Sequence, residues 1–363
     1  MASDPSRSSS SQPSHASEER AEDQAPKLLQ QYNDLISTLP LEEGWQPVSL
    51  RKYKGVWLPG HEIFLRGIFA IQSHFKSRPT DILLATLPKS GTTWLKALIF
   101  ATMTRSQYSF ADHPLLSLNP HNCVHSLEEL WAIGQPSKIE ALPSPRLLNT
   151  HMPYSVLPDA IRASDCRIIY VCRDPKDRVV SAWQFTSSWH RSKKATGEMM
   201  PTTEALSLAT AVEMVCQGNS PFGPDWDHVL EYWRESLRQP ENVLFLKYEE
   251  VMEESVANAK RLAEFMGCPF SLEEEKEGVV EKIITLCSFD KLSKLEVNQN
   301  GDQASVFRVP NSCYFRKGKV GDWRNHLSPE MARRLDGIMD EKLRGSGPTL
   351  GGVRLQAPNT TTI

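Results

Sequence analysis

The stretch 81-DILLATLPKSGTTWLKAL-98 restricts the possible folds more than any other part of the chain. Asp81 to Thr86 is a short apolar run closed by turn residues, the pattern of a buried strand, and Thr92 to Met103 continues with helical character. A strand that passes into a helix through Pro88-Lys89-Ser90-Gly91 leaves the first N–H groups of that helix without backbone partners, at the positive end of its dipole. Such a turn cradles an anion. Gly91 permits close backbone approach, while Lys89, Ser90, Thr92 and Thr93 supply further donors. Lys-Ser-Gly by itself also describes a capped helix beside a surface lysine; the length of the pattern favours the anion site. The lysine precedes the glycine rather than following it, and no strand-end carboxylate for magnesium stands out, which weakens an ATPase reading.

The same scheme recurs at 167-RIIYVC-172, a buried strand entering Arg173-Asp-Pro, with Pro175 near a helix start and Val179, Val180 and Trp183 continuing the helix. A third apolar strand, 243–248, lies between helical patterns at 225–238 and 255–266, and 272–287 is helical again. Alternation of this kind predicts an α/β chain: a central parallel sheet flanked by helices in three layers, P-loop-like in form, with right-handed crossovers. A last helix is expected from 329 to 342. The amphipathic spacing of Leu28, Leu29, Tyr32, Leu35 and Ile36 marks a first helix beginning at Pro26. The expected organisation is a disordered tail over 1–26, one domain over 27–345 and a flexible C-terminal tail over 346–363. The unpatterned segment 295–324 carries Arg308, Arg316, Lys317 and Lys319, more cations than a connector needs.

Composition narrows the partners. A formal net charge of −3 leaves no basic excess for nucleic acid or an anionic membrane, so a bound anion must be held locally. Seven scattered cysteines without a Cys-x-x-Cys pair fit a reduced, cytoplasmic setting and no zinc site. The first 26 residues contain five acids and no apolar core, unlike a secretory or transit segment. No apolar run reaches membrane-spanning length, the best being interrupted by Arg66.

Pro88-Lys-Ser-Gly-Thr-Thr-Trp94 resembles the 5′-phosphosulfate loop of the cytosolic sulfotransferases, enzymes that use 3′-phosphoadenosine-5′-phosphosulfate (PAPS), and the surrounding sequence is most similar to the plant branch. The resemblance extends over about residues 45 to 345. It implies that Lys89 to Trp94 hold the phosphosulfate, with Lys89 stabilising the departing phosphate. It further implies that Arg173 and Ser181, eight residues apart, hold the 3′-phosphate, and that Arg316, Lys317 and Gly318 close over it. An arginine fork matches phosphate oxygens. Trp94 and Tyr248 match adenine contacts, and Cys287, Ser288, Phe289 and Leu292 another adenosine segment, although such residues also fill cores. His151, directly after the apolar strand in 146-RLLNTHMP-153, matches the catalytic base. Asn149 departs from the animal members, which carry a lysine there.

The expectation is sulfuryl transfer from PAPS, without a metal, to a hydroxyl of a small organic acceptor such as a flavonoid, steroid, jasmonate or glucosinolate precursor. The proposed route is in-line displacement with His151 as general base. Trp57, Tyr154 and Phe185 are candidates for the acceptor pocket, whose shape depends on loops 105–145 and 186–224. A magnesium-dependent phosphotransferase and a catalytically silent PAP- or PAPS-binding protein are the competing readings. The segment that joins animal dimers is poorly reproduced, leaving a monomer or a weak homodimer as the expected state.

Overall fold

The computed structural model describes residues 15–42, 45, 48–195, 206–302, 305–347 and 350. Residues 1–14, in the expected tail, and 351–363, in the expected C-terminal segment, lie outside the described residues, as do 196–205 of one acceptor loop. The chain divides into two compact units at Leu39/Pro40. The first contains helix α1 (His15–Thr38), which begins before the expected start and carries Pro26 inside it. The part of the expected disordered tail from His15 onward is therefore helical.

The second unit is built on a five-stranded sheet in the order β5-β6-β4-β7-β8. Its strands are β4 (Ile82–Thr86), β5 (His125–Ser126), β6 (Leu147–Thr150), β7 (Arg167–Cys172) and β8 (Val243–Lys247). Every pairing is parallel: Ile82 lies opposite both Leu147 and Arg167, and Ile168 opposite Val243. Both faces must then be covered, because β4 is buried at every residue and β7 at all but Arg167. On one face Ile82, Leu84, Ile169, Val171, Leu244 and Leu246 pack with helices α3 (Thr92–Thr104), Ser255–Phe265 and Val279–Leu286. On the other, Tyr170 stacks on Tyr232 of helix Asp225–Arg238 with ring centroids 4.3 Å apart, and Phe245 meets Trp233 at 5.1 Å. This is the expected three-layer α/β arrangement.

The chain leaves β4 toward β5 and β6 on one side and later toward β7 and β8 on the other. The order therefore reverses at β4, and a crevice opens beyond the carboxyl ends of the strands, where ligands bind in open parallel sheets. Two features depart from the sequence reading. A small antiparallel sheet, β1 (Leu41–Glu42), β2 (Leu50–Tyr53) and β3 (Val56–Pro59), was not anticipated. Its hairpin turns at Lys54-Gly55, both with positive φ (49° and 86°), the conformation that suits a tight β2–β3 reversal. The helix expected over 272–287 is two pieces, Leu272–Lys276 and Val279–Leu286, divided at Gly278 with φ 68°.

Candidate active site

A cavity of about 1120 Å³ lies at the carboxyl end of the sheet. It slightly exceeds the roughly 300–1,000 Å³ of ordinary small-molecule sites, large enough for two ligands side by side. Every residue expected to act in catalysis or to hold the donor lines it except Ser90, which is fully buried. Lys89, Gly91, Thr92, Thr93 and Trp94 come from the β4–α3 turn, and Arg173 and Ser181 from the end of β7 and the helix Pro175–Ala195. Tyr248, Cys287, Ser288, Phe289 and Leu292 form one wall, and Arg316, Lys317 and Gly318 arrive from the unpatterned segment.

The loop is built for close approach. Gly91 has φ 92°, and a Cβ there would lie 2.3 Å from the Tyr248 ring. Trp94 meets the same ring edge-on at 5.9 Å. Ser90 Oγ and Arg173 Nε are buried and find no hydrogen-bond partner among the described residues, an arrangement that suits an anion, since buried polar groups are otherwise satisfied. Arg173 ties three segments together: its guanidinium donates to the carbonyls of Lys89 and Lys319, both at 3.1 Å, and lies over Tyr248 at 4.7 Å. The Lys89 ammonium sits 4.0 Å above the Phe185 ring, and burial brings its pKa down to about 7; Cys313 opposes that fall and the Arg173 and Arg316 charges reinforce it.

Arg316 and Lys317 both pair with Asp322, Lys317 at 2.8 Å. Burial works against the Asp322 carboxylate, but hydrogen bonds from Lys317, Arg316 and Asn325 outweigh it and hold the group well below the usual range. Gly318 has φ 61°, with Phe289 carbons 2.7 Å from where a Cβ would stand. The whole segment is anchored by buried Asp177, which accepts from the N–H groups of Gly321 (2.6 Å) and Trp323 (3.0 Å).

His151 Nδ1 lies 2.7 Å from the carbonyl oxygen of Thr86. A carbonyl can only accept, so Nδ1 carries the proton and Nε2 keeps its lone pair. Burial lowers the imidazole from 6.5; Glu128 and the Thr86 hydrogen bond oppose the shift, and the charges of Lys96 and Lys89 add to it. The ring is therefore neutral at pH 7. Its backbone is equally constrained, because Glu128 Oε1 accepts from His151 N (2.5 Å), Met152 N (3.2 Å) and Thr150 Oγ1 (2.6 Å), and His228 Nε2 donates to the His151 carbonyl at 3.0 Å.

The sequence reading missed Glu128, although Ser126-x-x-Glu129 has the spacing of a helix start and Ser126 does cap the helix Leu127–Ala132. It also missed Lys96, a single cation in an apolar helix. Asn149 faces the cavity, but its amide donates to the carbonyls of Leu84 and Thr150.

Four further aromatic side chains, Phe64, Trp189, Phe222 and Phe307, also line the cavity. Phe64 meets Phe307 at 5.5 Å, Trp189 meets Phe307 at 5.8 Å, and Phe222 lies 5.6 Å from the His151 ring. Of the three acceptor-side candidates only Phe185 lines the cavity. Trp57 exchanges backbone hydrogen bonds with Phe222 and Gly223 under the Lys52 ammonium, and Tyr154 packs edge-on against Tyr232 in the core. Trp57 stands on the edge strand β3 and Tyr154 in a short buried turn.

Residues 79–347 match the sulfotransferase domain family. Cytosolic sulfotransferase 16 of Arabidopsis thaliana is 43% identical over 326 residues, 88% of this chain and 93% of its own length. Cytosolic sulfotransferase 12 of the same plant is 41% identical over 347 residues, 94% and 98% of the two chains. Among solved structures, an Arabidopsis thaliana putative steroid sulphotransferase superposes with a TM-score of 0.67 at 37% identity, covering 88% of this chain and 94% of its own. A mouse sulfotransferase in complex with PAP gives 0.62 at 28%, covering 82% and 95%. With a glycine loop at a strand-to-helix turn, two further basic segments lining the same cavity, and a matching domain over most of its length, the chain belongs to the sulfotransferase family.

Proposed function

We propose that the protein transfers the sulfuryl group of PAPS to a hydroxyl of a small organic acceptor of the flavonoid, steroid or jasmonate kind, acting in the cytoplasm with His151 as general base. The relatives' printed names, cytosolic sulfotransferases, and the PAP bound by the mouse neighbour support the donor and the compartment. The observation that carries the base assignment is the Thr86 carbonyl holding Nδ1 of a neutral imidazole whose other nitrogen retains its lone pair.

PAPS supplies an electrophilic sulfur bonded through oxygen to a 5′-phosphate leaving group. Lys89, Ser90 and the α3 amides bind that phosphate end, and burial makes their electrostatic contribution larger than it would be in water. His151 takes the acceptor proton as the acceptor oxygen bonds to sulfur and the sulfur–phosphate oxygen bond breaks, while Lys89 donates to the oxygen left on phosphate. Phe64, Trp189, Phe222 and Phe307 hold an apolar acceptor beside His151 and exclude water. Arg173 and Ser181 hold the 3′-phosphate end, and the Asp177-anchored segment closes over it.

The test is sulfuryl transfer from labelled PAPS to a panel of plant phenols and alcohols, with EDTA present. Turnover by the wild type, reduced by about 10² to 10⁴ in His151→Ala while PAP binding persists, is the expected result. An alanine variant as fast as wild type would remove His151 from the mechanism, and tight PAP binding with no product on any acceptor would favour the silent binding protein.

A further inference from the structure

Three polar side chains form a continuous line behind the phosphosulfate loop. Lys96 Nζ lies 3.1 Å from His121 Nδ1, and His121 Nε2 lies 3.0 Å from Thr93 Oγ1. Lys96 is buried at 1% exposure inside α3, one turn beyond the loop, and makes no ion pair within 4 Å among the described residues. Glu128, Glu129 and Cys123 are the anionic or ionisable groups whose charge acts on it. The Tyr314 ring covers His121, with centroids 4.2 Å apart. A lone lysine in an otherwise apolar helix is costly to bury, and the phosphate contacts already described do not use it.

We propose that Lys96 and His121 are positioning residues that set the direction of the Thr93 hydroxyl, so that Thr93 donates to the 5′-phosphosulfate end of the donor. Burial lowers Lys96 to about 7, a fall that Glu128, Glu129 and Cys123 oppose, and in its protonated form the side chain has donors and no acceptor. His121 Nδ1 must therefore accept from Lys96, which leaves the imidazole proton on Nε2. Burial, together with the Lys96 and Lys89 charges, keeps His121 well below 6.5, so the ring carries that single proton. Nε2–H then donates to Thr93 Oγ1, and the threonine's own proton is turned away from His121, free for an acceptor in the cavity that Thr93 lines. With Lys96 replaced by an apolar side chain the imidazole can take the other tautomer, and Thr93 would spend its proton on His121 Nε2. Asn149 engages backbone carbonyls, and Lys96 and Lys89 both line the cavity.

The inference rests on the donor reading above, and binding of two nucleotides separates the two. Calorimetry would measure adenosine 3′,5′-bisphosphate and adenosine 3′-phosphate on the wild type, Lys96→Met, His121→Phe, Thr93→Val and the Thr93→Val/Lys96→Met pair. Lys96→Met should weaken the bisphosphate about tenfold, the scale of one charge-assisted hydrogen bond, and leave the 3′-phosphate unchanged. The double variant should bind the bisphosphate no more weakly than Thr93→Val alone, because the lysine acts through that hydroxyl. If Lys96→Met fails to fold, His121→Phe, which keeps a ring against Tyr314, carries the same expectation. Equal weakening of both nucleotides, an unchanged bisphosphate affinity, or additive losses in the double variant would each overturn the relay. A wild type that binds neither nucleotide would instead overturn the donor reading.

Discussion

The two halves of the cavity are made in different ways. The half proposed to hold the donor is assembled from strand ends and the helix turns that follow them: Gly91 and Thr93 after β4, Arg173 after β7, Tyr248 after β8. Each of these positions is dictated by the sheet, and the functional groups are backbone amides, glycine conformations and cations. The half proposed to hold the acceptor draws on aromatic side chains far apart in the chain, Phe64 from the helix Glu62–His74, Trp189, Phe222, and Phe307 from the unpatterned segment. Phosphate chemistry needs fixed donors at fixed places, whereas an apolar acceptor needs only shape and dryness, which many residues can supply.

The sharpest way to break this contrast is Gly91→Ala. The new methyl would meet the Tyr248 ring at 2.3 Å from a backbone with φ 92°. PAP affinity should fall about a hundredfold, in keeping with strain of a few kcal/mol, with a lower melting temperature. Wild-type affinity in that variant would mean the donor loop is as adaptable as the acceptor wall. A smaller effect is expected from Phe307→Ala, which opens the aromatic cluster. The acceptor KM should rise about tenfold, the scale of partly lost apolar burial, with the KM for PAPS unchanged. Equal changes in both constants would show that the halves are not separable.

The smallest effect expected is on pH. In kcat/KM for PAPS, which reports the free enzyme, activity should fall on the acid side as His151 protonates below 6.5. It should fall on the alkaline side as Lys89 loses its charge above about 7. Bound phosphosulfate favours the charged lysine, so the alkaline limb of kcat should lie at higher pH than that of kcat/KM, a difference of a few-fold in rate at about pH 8. Identical alkaline limbs in the two profiles would show that Lys89 does not face the donor.

The placement of the strand-end residues was readable in the sequence because its physics is local. Pro88 to Thr93 must be a strand-to-helix turn, and a turn of that kind exposes amides whatever surrounds it. Arg173 and His151 are placed at the cavity for the same reason, each standing one residue beyond a buried strand. Glu128 was not found: its role comes from reaching across to the His151 loop, 23 residues away in sequence. Trp57 and Tyr154 were placed in the acceptor pocket on the strength of residue type, and the fold uses them elsewhere. An aromatic side chain carries no mark of which cavity it will face.

By itself, then, the order of apolar runs and turns determined the parallel sheet, the strand-to-helix turn at its carboxyl edge and the identity of the cations near it, since these follow from hydrogen-bonding rules that act within a few residues. Only the tertiary structure decided that Glu128 clamps the His151 backbone, that Asp177 ties down the 316–323 segment, and that Phe64 and Phe307 share a wall. Those contacts join residues tens to hundreds of positions apart, and their strength depends on burial and distance, quantities that exist only once the chain has packed.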